Sequence, residues 1–139
     1  MARLLAIDYG KRRTGLAVTD PLQIIPGGLC TVDTPRLLDY LSDYTKRESV
    51  ERFIIGLPKQ TNGQDSENLP RVKAFAEQLA KRIPDIPIEF SDERYTSVLA
   101  HRTMLEAGLS RKARQNKALV DEISATIILQ DYLTHKKPL

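Results

Sequence analysis

From Leu4 to Tyr9 the chain is a short apolar run that closes on Asp8, Tyr9 and Gly10, the pattern of a buried strand. Lys11 to Arg13 make a polar turn between Gly10 and Gly15. Thr14–Thr19, rich in β-branched residues, predicts a second strand paired antiparallel to the first. Asp20, Pro21, Pro26, Gly27 and Gly28 punctuate a loop, and Leu29–Val32 follows as a third strand. Thr34-Pro35 has the chemistry of a helix start, with the hydroxyl as cap, and Leu37, Leu38, Leu41 and Tyr44 recur at helical spacing. Arg52–Leu57, with Phe53, Ile54 and Ile55 at its centre, predicts a strand buried on both faces. Val72, Phe75, Ala76 and Leu79 mark a helix over about 70–83, which Pro84 and Pro87 end before a strand at Ile86–Phe90. Thr96 or Ser97 starts a helix running to Ala107, Ser110–Asn116 is basic and poor in apolar residues, and a last helix covers about 117–134. Leu119, Val120, Ile123, Ile127, Ile128 and Leu133 supply its apolar positions. Three strands in a meander, followed by alternating helices and strands, predict an α/β architecture: a mixed five-stranded sheet in three layers, with helices on both faces.

Composition narrows the class without naming an activity. With 139 residues, 41% hydrophobic and 28% charged, the chain fits one globular domain over 1–139, and no repeat or linker divides it. Cys30 is the only cysteine, which excludes an internal disulfide and a thiolate metal cluster and favours a reducing compartment. No signal peptide or membrane-length apolar run is visible, so a cytoplasmic protein with no membrane partner is expected. The net charge of +3 matters only through its placement: Lys11, Arg12 and Arg13 form one cluster, and Arg111, Lys112, Arg114 and Lys117 a second. Taken alone, either reads first as an ordinary solvated surface and second as a candidate grip for a polyanion.

Three acidic positions carry the chemistry. Asp8 ends an apolar strand, where a carboxylate is costly unless a cation neutralises it; pairing with Arg13 or capping its own turn are the structural readings, and metal ligation is the functional one. Gly10 beside it would let backbone approach a phosphate. Asp92 and Glu93 follow a predicted strand at the edge where open α/β sheets bind ligands. Neighbouring side chains on an extended segment point apart, so one of the two faces the site, and the residues alone do not say which. Asp121 lies on the last helix, where it is either an exposed acid near Lys117 or a site residue brought in by the small Ser124 and Ala125. Two carboxylates about 4 Å apart repel by about 4 kcal/mol at an effective dielectric near 20, so three converging acids require protons or cations. Oxygen donors suit Mg2+ or Mn2+, and one or two such ions would serve phosphodiester hydrolysis, with Lys117 near the scissile phosphate.

The blocks Ala6-Ile7-Asp8-Tyr9-Gly10 with Thr14-Gly15-Leu16-Ala17-Val18, Ile55-Gly56-Leu57-Pro58 with Asn62-Gly63, Asp92-Glu93-Arg94-Tyr95-Thr96 and Asp121-Glu122-Ile123-Ser124-Ala125 occur in that order. Together they resemble the YqgF (RuvX) family of pre-16S ribosomal RNA nucleases, also described as Holliday-junction-resolvase-like, across nearly the whole chain. The resemblance implies a ribonuclease-H-like fold, acidic ligands at Asp8, Glu93 and Asp121, and hence Glu93 rather than Asp92. It also implies a role in maturing the 5′ end of small-subunit ribosomal RNA. Asp20 and Glu122, the remaining acids near these blocks, are assigned to the surface.

The expectation is therefore a metal-dependent nuclease: Asp8, Glu93 and Asp121 hold the metal, Lys117 assists catalysis, and Lys11, Arg12, Arg13, Arg111, Lys112 and Arg114 hold nucleic acid. Pre-ribosomal RNA is the expected partner, with structured or branched DNA as the alternative, and the chain is a monomer or weak homodimer. A junction resolvase working as a symmetric dimer and a catalytically silent RNA-binding assembly module are the competing readings. An actin-like phosphotransferase, which also opens on Asp-x-Gly, would need two lobes and more chain than this. Tyr9 and Tyr95 are expected to pack rather than stack on bases, Asn62 to serve a turn, and His101 and His135 to be structural.

Overall fold

Four consecutive apolar side chains, Leu4 to Ile7, are almost fully removed from water, so the first strand needs a covering layer on each face. The computed structural model describes residues 2–58, 68–93 and 117–136, with side chains for 2–57, 68–91 and 119–134. Its strands are β1 (Arg3–Asp8), β2 (Arg13–Thr19), β3 (Pro26–Asp33), β4 (Val50–Pro58) and β5 (Ile88–Glu93), and its helices α1 (Leu37–Arg47), α2 (Leu69–Arg82) and α3 (Lys117–Lys136). They form one sheet in the order β3-β2-β1-β4-β5. β1 pairs antiparallel with β2 and parallel with β4, and β4 pairs parallel with β5. The expected mixed five-stranded sheet is present. The helix expected from Thr96 or Ser97 to Ala107 and the basic stretch Ser110–Asn116 lie outside the described residues, as do Asn62 and Tyr95.

Period-two alternation sorts the strand side chains into two cores. Leu5, Ile7, Leu16, Phe53 and Ile55 meet Leu37, Leu41 and Tyr44 of α1 and Val72, Phe75, Ala76 and Leu79 of α2. On the other face Leu4, Ala6, Ala17 and Ile54 meet Ala125, Ile128 and Leu129 of α3. Ala6 and Ala17 on this second face are small, so α3 lies close to the sheet. Its buried stripe runs through Ser124, Ala125, Ile128 and Leu129, whereas Leu119, Val120, Ile123, Ile127 and Leu133 are only partly buried. The apolar positions expected to carry the helix are thus mostly not its deepest contact. Small side chains permit the close approach that large ones would block.

The closest approach falls at Gly15. A Cβ there would overlap the Asp121 carbonyl oxygen and lie 3.1 Å from the Asp121 Cβ. Glycine in mid-strand here is the seat for a helix backbone.

Two expectations about local chemistry need correction. Thr34 does not cap a helix: it opens a short 3-10 turn (Thr34–Arg36) whose N-cap is Asp33, and no side-chain capping bond forms. Its hydroxyl instead donates to the Gly10 carbonyl at 2.6 Å and lies 3.0 Å from the Thr14 hydroxyl. Since Thr34 has one proton and gives it to Gly10, Thr14 donates to Thr34, and Thr14 accepts the Gly10 N–H at 3.5 Å. Asn68, the N-cap of α2, likewise makes no side-chain cap, and its amide donates to the Tyr9 carbonyl at 3.0 Å. Thr34 N–H adds a bond to the Arg12 carbonyl at 2.9 Å. Residues at two helix starts therefore secure the turn that follows Asp8. Gly10 is also explained by that turn, because a Cβ there would overlap the Arg13 carbonyl.

Thr34→Val keeps the shape and removes the hydroxyl, leaving the Gly10 carbonyl and the buried Thr14 hydroxyl short of a partner. Urea unfolding should show a loss of about 1–3 kcal/mol, and Thr34→Ser should recover most of it. Gly15→Ala should cost about 1–3 kcal/mol by the same measurement, because overpacking must displace α3. Gly28→Ala, whose Cβ would meet α3 side chains no closer than 3.5 Å, should cost less. Equal effects at Gly15 and Gly28 would contradict the seat.

Candidate functional site

Asp8 is the last residue of β1 and stands directly opposite Gly15 of β2 in the antiparallel register. Its parity is that of Leu4 and Ala6, the α3 side of the sheet. Gly15 in turn lies under the backbone of Asp121. One glycine thus has Asp8 beside it in the sheet and Asp121 above it on the helix. Asp8 is half-buried and engaged by hydrogen-bonding or electrostatic neighbours.

Asp121 is not an exposed helix acid. Its Oδ2 accepts a hydrogen bond from Arg13 Nε at 3.1 Å, and the two side chains retain 26% and 37% of their exposure. An ion pair this accessible to water contributes roughly 0.2–1 kcal/mol to stability. It links the first residue of β2 to the second turn of α3. Arg13 was one structural candidate for the partner of Asp8, and the Nε contact it makes is with Asp121. Lys11 and Arg12 are exposed on the adjoining turn.

Asp92 and Glu93 belong to β5 itself, as its last two residues, rather than to a loop beyond it. The strand continues because Leu57 and Pro58 of β4 remain available as register partners for positions 92 and 93. Along β5, Glu89 pairs with Arg52 at 3.3 Å, and Arg52 reaches the Tyr132 hydroxyl of α3 at 3.0 Å. Ile88 instead packs with the α1/α2 core. Positions 89, 91 and 93 share one parity along β5, and 88, 90 and 92 the other. In register, Ile7 is level with Ile55 and Ile55 with Phe90, so position 8 is level with 91 and position 93 lies two residues further on. The backbones at 8 and 93 are two strands apart, about 10 Å across and about 7 Å along.

Among the described residues no group of three His, Cys, Asp or Glu is close enough to hold a metal ion, and the Glu93 side chain is outside that set. Asp8 and Asp121, the two described acids placed about Gly15, offer hard oxygen donors, which suit Mg2+ or Mn2+ rather than a soft metal. Lys117 begins α3, one turn before Asp121; its side chain, like Arg111, Lys112, Arg114 and His101, lies outside what the structure describes.

The remaining acids have other employment. Asp20 is at the opposite end of β2, where its carboxylate accepts the N–H groups of Leu22, Ile24 and Ile25 at 3.1, 2.8 and 2.7 Å. Those bonds, Ile25's foremost, hold its pKa below the ordinary carboxylate value. Glu122 sits beside Gly28 of β3. Tyr9 packs inward, its ring stacked on Phe75 with centroids 4.9 Å apart. Three positioning residues escaped the sequence reading: Gly15, Thr14 and Asn68. Only Gly15 left a signal, as an isolated glycine inside a β-branched run.

A family model described as "RuvX: Holliday junction resolvase" matches residues 2–135. A Bacteroides fragilis protein named "Putative pre-16S rRNA nuclease" is 64% identical over 137 residues, 99% of each chain. Proteins of the same name from Phocaeicola vulgatus and Flavobacterium johnsoniae are 65% and 53% identical over 137 residues, again 99% of each chain. Among solved structures, T. thermophilus RuvC in complex with a Holliday junction substrate superposes with a TM-score of 0.59, covering 99% of this chain and 97% of that one. At 14% identity that likeness speaks for the ribonuclease-H-like fold alone. Family match, near-full-length relatives and fold agree, and the chain belongs to the RuvX family.

Proposed function

We propose that this protein is a divalent-metal-dependent nuclease that hydrolyses phosphodiester bonds in precursor 16S ribosomal RNA, at the carboxyl edge of its sheet. The observation that carries the reading is the position of Gly15, opposite Asp8 in the sheet and beneath Asp121 of α3. Two carboxylate-bearing residues distant in sequence share one strand end there, and an acidic cluster needs a cation to be tolerated. The names of the near-full-length relatives support RNA as substrate, since each is called a pre-16S rRNA nuclease.

In this reading Asp8, Asp121 and Glu93 bind and orient Mg2+ or Mn2+, the longer glutamate suiting the wider separation of its strand. When bound, the metal supplies an activated water and Lewis-acid stabilisation of the leaving oxygen. Asp8 and Asp121 would fix where that chemistry occurs, since the secured turn and the Gly15 seat hold the backbone that carries them. Lys117 offsets negative charge developing at the phosphate. Lys11 and Arg12, exposed beside Asp8, hold flanking phosphates together with Arg13, Arg111, Lys112 and Arg114, giving affinity that falls with salt and little sequence preference. The protein works as a single cytoplasmic domain over 1–139, as a monomer or weak homodimer. Among the described residues no helix is long and apolar enough to cross a membrane.

The family description favours a second substrate, a four-way DNA junction, on the same metal chemistry. Paired cleavage of two strands would then call for a symmetric dimer. Incubation with labelled precursor RNA and with a four-way junction, alongside a sedimentation measurement of size, separates the two.

Asp8→Asn preserves shape and removes the charge. It should lower Mg2+- or Mn2+-dependent RNA cleavage by at least about a hundredfold while circular dichroism and the urea midpoint stay near wild type. Undiminished cleavage by a folded Asp8→Asn protein would remove Asp8 from the metal site.

A further inference from the structure

Arg13 occupies the carboxylate that the nuclease reading assigns to a metal. Its Nε lies 3.1 Å from Asp121 Oδ2, and a guanidinium and a divalent cation cannot share that oxygen without like-charge repulsion. Two features make Arg13 displaceable. Its side chain keeps 37% of its exposure, so it has solvent to move into, and the exposed Lys11 and Arg12 precede it on the same turn, where a polyanion would be met. The backbone beneath it cannot follow, because the turn carbonyls of Tyr9, Gly10 and Arg12 are each bonded to Asn68 or Thr34. A fixed backbone and a half-exposed head allow a side-chain swing without a loop rearrangement.

We propose that Arg13 is a displaceable counter-ion: it neutralises Asp121 while the metal is away and, on metal binding, is released toward the phosphates of the nucleic acid. This rests on the nuclease reading and adds to it a linkage between metal and substrate, in which each favours the other. Arg13 is thus a positioning residue acting through Asp121 in the metal-free state, and it becomes a substrate contact only in the loaded one.

The test is Mn2+ affinity, followed by electron paramagnetic resonance on the full chain. Arg13→Gln removes the competing cation and should bind Mn2+ about two- to fivefold more tightly than wild type, the range set by a partly exposed ion pair. Arg13→Lys, which keeps a cation, should stay near wild type. Damage to the site would weaken binding, so a gain of affinity separates competition from a merely structural role. Should Arg13→Gln not fold, the wild-type protein carries the test through the Arg13 Nε–Hε resonance. Saturating Mg2+ should move it to the position of a solvent-exposed arginine. Mn2+ binding that Arg13→Gln leaves unchanged or weaker, or an Arg13 signal unmoved by Mg2+, overturns the counter-ion role and leaves the nuclease reading standing. No Mn2+ uptake by wild type, or equal uptake by Asp8→Asn, overturns the metal site and the counter-ion role together.

Discussion

The close approach of the last helix to the second strand over Gly15 is the constraint on which the rest of the structure depends. Asp121 is brought over β2 by a helix that sits on Gly15, and Arg13 meets it with a positive charge as it arrives. Each part of that arrangement has a structural requirement. The helix can approach because the sheet face beneath it offers Ala6, Gly15 and Ala17 beside Leu4 and Ile54, and because Ser124 and Ala125 of α3 are small. Asp8 holds its place because the turn after it is secured by Thr14, Thr34 and Asn68. The hydrophobic cores supply stability, while these polar and glycine positions decide where the carboxylates stand.

The fold was largely legible in the amino-acid pattern. Continuous apolar runs at Leu4–Ile7 and Phe53–Ile55 mark strands covered on both faces, and the helical periods of α1 and α2 fall on residues that the core buries. The site was legible in part. Asp8 stood out as a carboxylate closing an apolar strand. Thr34 misled, since Thr-Pro is helix-cap chemistry and nothing local reveals that the hydroxyl is needed by a turn far away in the chain. The same holds for Arg13, which reads as one member of a basic cluster until α3 is folded across it. Long-range partners of this kind leave no trace in local spacing. The residues alone left Asp92 and Glu93 open and the family resemblance favoured Glu93; what the fold adds is that β5 extends through both positions.

Family and geometry contribute different things. Relatives 52–65% identical over almost the whole chain establish the family, and the likeness to RuvC supports the fold while saying nothing of the substrate at 14% identity. What geometry adds is a physical reason for the motif's spacing: Asp8 and Gly15 are conjoined by strand register, and Gly15 and Asp121 by helix contact. The Asp-Tyr-Gly block, the glycine of the second strand and the acid of the last helix are thus parts of one device. Arg13 adds to that device an ion pair with Asp121 at 3.1 Å.

The central claim is that Asp8, Glu93 and Asp121 share one cation. Anomalous diffraction from a crystal soaked in Mn2+ addresses it directly. The account predicts a manganese peak within bonding distance of all three carboxylates, at the carboxyl edge of β1 and β5. A peak elsewhere on the molecule, or a site that engages Asp8 and Asp121 while Glu93 points away, would contradict it.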